Sequence, residues 1–167
     1  MNTIIQTLFE RHQYSDAMNA ALRLFAEGKI STLVLNQNAK AYGITLDDLR
    51  LEAVDVIIDY IELILEDNAL SAEEMNTLRM MKLFFHIQEG DFVNQHKEKQ
   101  IAHILYRQLE LMYQDKKVDR KEAMMKVELQ ELFGLSYDQF LLLEQDVVET
   151  ALKNGANLKD LDTFYVL

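Results

Sequence analysis

The chain has 167 residues, 49% of them hydrophobic, with 28 Asp and Glu against 17 Lys and Arg and a net charge of −11. That length supports one well-buried core, and the acidic balance argues against a broad phosphate-backbone contact, so nucleic acid is not an expected partner. The absence of cysteine excludes disulfides, thiolate catalysis and Cys-ligated metal centres, and fits a reducing cytoplasm.

Met1–Glu10 has no basic segment followed by a long apolar run and reads as mature protein. No stretch reaches the apolar length of a membrane span. With no proline and only five glycines, little sequence is left for strands or linkers. The expected fold is all-α, a compact bundle of about seven helices in one domain over residues 1–167.

Thr3 to about Gln13 reads as a short amphipathic helix, and Ser15 or Asp16 caps a second that stops at Gly28. Ser31 opens a third, which ends at Gly43. Thr45-Leu46-Asp47-Asp48 caps a long helix running to about Glu66. Ser71 with Glu74 is a capping box for a helix that carries Leu78, Met81 and Phe85 inward and ends near Gly90. One helix is expected from Phe92 to Gln114, burying Ile101, Ile104, Leu105, Gln108 and Met112. Asp119 with Glu122 caps the next, which stops at Gly134, and Ser136 with Gln139 caps the last, ending near Gly155. The tail from Asn157 carries Leu158, Leu161, Phe164 and Val166 and is expected to dock back.

A shift of 48 positions lays Glu62, Asp67, Glu74, Phe85 and Phe92 on Glu110, Asp115, Glu122, Phe133 and Phe140, so helix, acidic turn and helix recur without a gap. The expected repeats are 52–92 and 100–140, with the N-terminal helices of 1–43 outside them. The turns Glu66-Asp67-Asn68-Ala69-Leu70-Ser71-Ala72-Glu73-Glu74 and Gln114-Asp115-Lys116-Lys117-Val118-Asp119-Arg120-Lys121-Glu122, the second followed by Leu132-Phe133-Gly134-Leu135-Ser136, resemble tellurite-resistance TerB-like domains. Asn68 and Lys116 stand where the family's turn usually carries Gly. The resemblance implies a helical bundle linked to metal-oxyanion and general stress responses, with acidic residues proposed to hold metal ions and with no demonstrated catalysis in most members.

The candidate site is a line of carboxylates on the long helix: Asp48, Glu52, Asp55, Asp59, Glu62 and Glu66. Spacings of four and three place all six within about 80° of one another. No Lys or Arg lies three or four residues away inside the line, so each neighbouring pair repels by roughly 0.2–0.5 kcal/mol. Such a stripe is a solvated edge, a docking face for a basic protein partner, or a binding edge for a divalent cation such as Ca²⁺ or Mg²⁺. In the aligned second repeat Gln100, His103, Arg107, Glu110 and Gln114 occupy five of these positions, which suggests that folding does not need the charge.

His96 and His103, seven apart on one expected helix, read as ordinary surface or core-edge histidines or as a transition-metal pair. Met75, Met80, Met81, Met124 and Met125 are core filler or the lining of an adaptable groove. Lys116, Lys117, Arg120, Lys121 and Lys126 form the basic cluster, read as a hydrated turn and helix start or as a face that meets the acidic stripe of another copy. No Gly-rich phosphate loop or nucleophile elbow occurs. The expected function is that of a non-enzymatic cytoplasmic protein whose acidic face takes cations or a basic partner. The alternative is an acidic interaction module, such as an immunity or inhibitor protein that masks a basic surface.

Overall fold

The computed structural model describes residues 3–65, 70–157 and 159. Among these are nine helices and no strand: α1 (Thr3–Arg11), α2 (Asp16–Ala26), α3 (Thr32–Ala41), α4 (Leu46–Ile64), α5 (Ala72–Phe84), α6 (Asp91–Asn94), α7 (Glu98–Met112), α8 (Arg120–Phe133) and α9 (Tyr137–Lys153). The acidic-turn residues Glu66–Ala69 and the tail residues Leu158, Leu161, Phe164 and Val166 lie outside the described part.

Each expected N-cap is in place. Ser15, Ser31, Thr45, Ser71, Asp119 and Ser136 accept a hydrogen bond from the backbone N–H three residues on. Four of them, Thr45, Ser71, Asp119 and Ser136, close reciprocal capping boxes with Asp48, Glu74, Glu122 and Gln139. A cap of this kind contributes about 1 kcal/mol and fixes where each helix begins.

Nine helices stand against the expected seven or so: one is added where an expected helix divides at a stop that is not a glycine, and a second such stop shortens α5. α5 ends at Phe84, not near Gly90: His86 takes the left-handed conformation (φ 56°) just past it, and the Ile87 N–H bonds back to the Lys82 carbonyl. Gly90 instead opens α6 at φ 88°. The single helix expected from Phe92 to Gln114 is broken at His96 (φ 57°), which separates α6 from α7.

α4 lies at the centre, packed against α1, α2, α3, α5, α6 and α7. Its Leu49, Ala53, Val54, Val56, Ile57, Ile58, Tyr60 and Ile61 are buried. That is far more than one amphipathic stripe and marks a helix enclosed on most sides. α7 packs on α4, α8 and α9, and α5 on α8. Phe92 meets Phe133 edge-on at 5.4 Å, and Phe84 lies between Phe25 and Phe85 at 5.7 and 4.9 Å.

The α4–α5 and α7–α8 pairs keep step at the 48-residue offset. Ser71 and Asp119 cap in the same way after buried Leu70 and Val118. His86 and Gly134 (φ 63°) are both left-handed, and Leu135 bonds back to Gln130 as Ile87 does to Lys82. Beyond that point the pairs diverge, because Phe92 belongs to a four-residue helix and Phe140 to one of seventeen.

Candidate functional site

The acidic face of α4 is met by the connector between α1 and α2 and by the start of α7. Asp48 is committed to its own helix: it accepts from the Thr45 hydroxyl at 2.7 Å and from the Thr45 N–H at 2.8 Å. These bonds hold its carboxyl below the usual carboxylate range. One turn on, Glu52 accepts from the Ser15 hydroxyl at 2.6 Å and from the Ser15 N–H at 2.7 Å, while the same hydroxyl accepts from the Met18 N–H. Glu52 thus fastens the N-cap of α2 to the side of α4.

Asp55 pairs with Lys97, which precedes α7. Asp59 accepts from the Tyr14 phenol at 2.8 Å, and His12 Nδ1 lies 3.1 Å from the same oxygen. The His12 and Tyr14 rings stack at 5.9 Å, nearly parallel. Burial pushes the Tyr14 phenol well above its ordinary range, reinforced by the hydrogen bond to Asp59 and by the charges of Asp59, Asp55 and Glu52. Glu62 is exposed and lines, with Leu65, His103, Ile104 and Arg107, a hollow of about 310 Å³. Glu66 lies outside the described residues.

The stripe is therefore a seam for three of its six members, Glu52, Asp55 and Asp59, while Asp48 caps its own helix. On the equivalent face of α7, His103, Arg107 and Glu110 are exposed, and nothing corresponding to α1 and α2 follows the offset. The charge difference between the two halves accompanies a structural one: three of these carboxylates tie α4 to neighbouring segments. Among the described residues no three His, Asp or Glu side chains converge as a group able to hold a metal ion. His96 lies in the break before α7 and does not share a helix with His103, which corrects the expectation that one helix carries both.

A second cluster was missed. Tyr113, Lys126 and Glu144 are all buried, at 3%, 6% and 9% exposure. Lys126 donates to the Tyr113 hydroxyl at 2.8 Å and to Glu144, and the Tyr113 hydroxyl donates to Glu144. Lys126 is thus not part of the hydrated basic cluster. Its signal was periodicity: it recurs every third residue with buried Ala123, Leu129 and Leu132, as Glu144 falls between buried Phe140 and Val147. Arg50 and Asp91 form a similar tie from α4 to α6, two contacts at 2.9 and 3.1 Å, with Asp91 also accepting from the Gln88 N–H.

The methionines divide. Met75 and Met81 are core, whereas Met124 is exposed and Met125 half-buried beside a groove of about 460 Å³ between the start of α5, the end of α7 and the start of α8. Comparison with protein-family models, with curated proteins and with solved structures finds no match to this chain.

Proposed function

We propose that the chain acts by binding a basic protein partner, as a non-enzymatic acidic interaction module. The observation that favours this reading over a bound cation is the engagement of Asp48, Glu52, Asp55 and Asp59 by Thr45, Ser15, Lys97 and the His12–Tyr14 pair. A cation spread along the stripe would have to displace those donors one by one, and helical spacing offers it an edge in place of an enclosing shell. The net charge of −11 still attracts cationic surfaces from a distance, which raises association rates more than it adds affinity.

The TerB-like resemblance and its association with stress response enter this proposal through the paired turns. Their support is the common register of α4–α5 and α7–α8 and the left-handed Lys116 (φ 65°) at the position where the family usually carries Gly. The internal repeat over 52–92 and 100–140 and a cytoplasmic location belong to the same proposal.

The test is calorimetric titration with Ca²⁺, Mg²⁺, Mn²⁺ and Zn²⁺ beside titration with a lysine-rich helical protein at low and high salt. Saturable binding of the basic protein that weakens with salt, with no saturable heat from the cations, is expected. Saturable cation binding abolished by Asp55→Asn and Glu62→Gln would replace this reading with the metal-binding one.

A further inference from the structure

The groove at the starts of α5 and α8 combines an apolar floor with one unanswered donor. Leu70, Leu111, Met112 and Met125 supply the floor and Met124, 49% exposed, the lip. Gln108 is wholly buried and belongs to the lining. Its Oε1 accepts from the Leu70 N–H at 3.0 Å, but Nε2 has no hydrogen-bond partner among the described residues. A buried amide N–H without an acceptor costs about 1–3 kcal/mol, so whatever enters the groove gains by bringing an oxygen to it.

The chemistry of that oxygen is limited by the lining. Glu122 and Glu128 stand at the groove with Lys121, and Glu128 is already paired with Arg79 at 2.6 Å. With the Glu128 charge met by Arg79, an anionic ligand would still face the Glu122 carboxylate, with Lys121 opposing it. A neutral carbonyl does not suffer this repulsion, and a carbonyl beside a large apolar side chain is what a peptide chain offers. Cations flanking that side chain would find Glu122 without an ion-pair partner among the described residues. Burial already pushes the Glu122 carboxyl up, with the Asp119 and Asp115 charges adding to the shift against the effect of the Asp119 N–H bond. Methionine walls suit such an occupant, because unbranched thioether chains change rotamer at small cost and admit side chains of irregular shape.

We propose that this groove docks a peptide segment of a basic partner, with one large apolar side chain on Met112, Met124 and Met125, a main-chain carbonyl oxygen on Gln108 Nε2, and a cation beside Glu122. This rests on the reading of the chain as a module for a basic partner and adds the place and mode of contact.

The test uses the full chain with ¹³C-labelled methionine methyls and ¹⁵N-labelled side-chain amides. The probe is an amphipathic Leu/Lys peptide of about eighteen residues, roughly five helical turns. A control peptide of equal charge has its leucines replaced by serine. The Leu/Lys peptide is expected to shift the Met112, Met124 and Met125 methyls, leave Met18 and Met75 in place, and move the Gln108 amide protons downfield as they gain an acceptor. Met124→Lys, at an exposed position that does not threaten folding, should weaken binding by about tenfold or more.

If both peptides bind equally, or Met124→Lys binds like the unsubstituted protein, the groove is overturned while the basic-partner reading stands. If neither peptide binds at low salt, both fall. An unmoved Gln108 amide, with the methyls shifted, overturns the carbonyl contact.

Discussion

Tyr14 donates its phenolic hydrogen to Asp59 at 2.8 Å across 45 residues of sequence, and this bond joins the α1–α2 connector to the middle of the central helix. It changes the expected effect of removing charge from the stripe. Asp59 has two neighbours at helical contact spacing, Asp55 and Glu62, so neutralising it relieves at most about 1 kcal/mol of repulsion. Its bonds to Tyr14 and His12 are charge-assisted and partly buried, and leaving their donors unanswered costs about 1–3 kcal/mol. The second effect is larger. Asp59→Ala is expected to lower the free energy of unfolding by about 1–3 kcal/mol in urea titration. A midpoint that stays put or rises would mean the seam contributes nothing and the stripe is a purely repulsive edge.

The Tyr14 phenol gives the seam a pH signature. Its folded pKa is raised above its ordinary value near 10. The folded chain therefore keeps a proton that the unfolded chain has lost, and this stabilisation is complete below about pH 10 and declines as pH rises past it. The decline is limited to about 1.4 kcal/mol per pH unit and is smaller for a half-buried group that solvent screens. Measured against Tyr14→Phe between about pH 8 and 11, the advantage of the tyrosine should shrink as pH rises. A constant difference across that interval would exclude phenol ionisation as the cause.

What the sequence made legible was whatever is decided within one turn of helix. Ser15, Ser31, Thr45, Ser71, Asp119 and Ser136 all cap as expected because the donor and acceptor lie three residues apart. The buried position of Gln108 on α7 also followed from periodicity. The helix breaks at His86 and His96 were only faintly marked: histidine is enriched among the few non-glycine residues that adopt positive φ, but His12 and His103 do not adopt it, so residue type alone does not select the break. The partners of Glu52, Asp55 and Asp59 were hidden for another reason: they lie 37 to 47 residues away and depend on which helices cross α4.

Lys116 offers a direct measure of backbone strain. Its φ of 65° places an L side chain in the left-handed region, and its N–H bonds to the Tyr113 carbonyl at 3.0 Å. That conformation costs a non-glycine residue roughly 1–2 kcal/mol, while glycine at the same place gives back about 0.4–1 kcal/mol through its freer unfolded chain. Lys116→Gly should therefore stabilise by about 0.5–1 kcal/mol, and Lys116→Val should destabilise, because branching at Cβ worsens the clash. Thermal unfolding of the two variants checks the order, and a glycine variant less stable than the valine one would reject the strain.

The Lys126–Glu144 pair sits behind the Tyr113 hydroxyl with both charges nearly out of solvent, at 7% and 11% side-chain exposure. Two opposing quantities decide its worth: the cost of dehydrating both ions and their attraction at contact, which are of similar size in a protein interior. Removing one partner leaves the other charge buried and unanswered, so Lys126→Met should destabilise by about 3–5 kcal/mol. Removing both charges with apolar side chains of similar length ends the dehydration cost as well. Lys126→Met with Glu144→Leu should recover most of that loss, less about 1 kcal/mol for the Tyr113 hydroxyl that then lacks its acceptor. Chemical denaturation of the two single variants and the double one yields the coupling energy between the sites. Strict additivity of the single losses would show that the two side chains contribute separately, and that the cluster is not the ion pair its geometry describes.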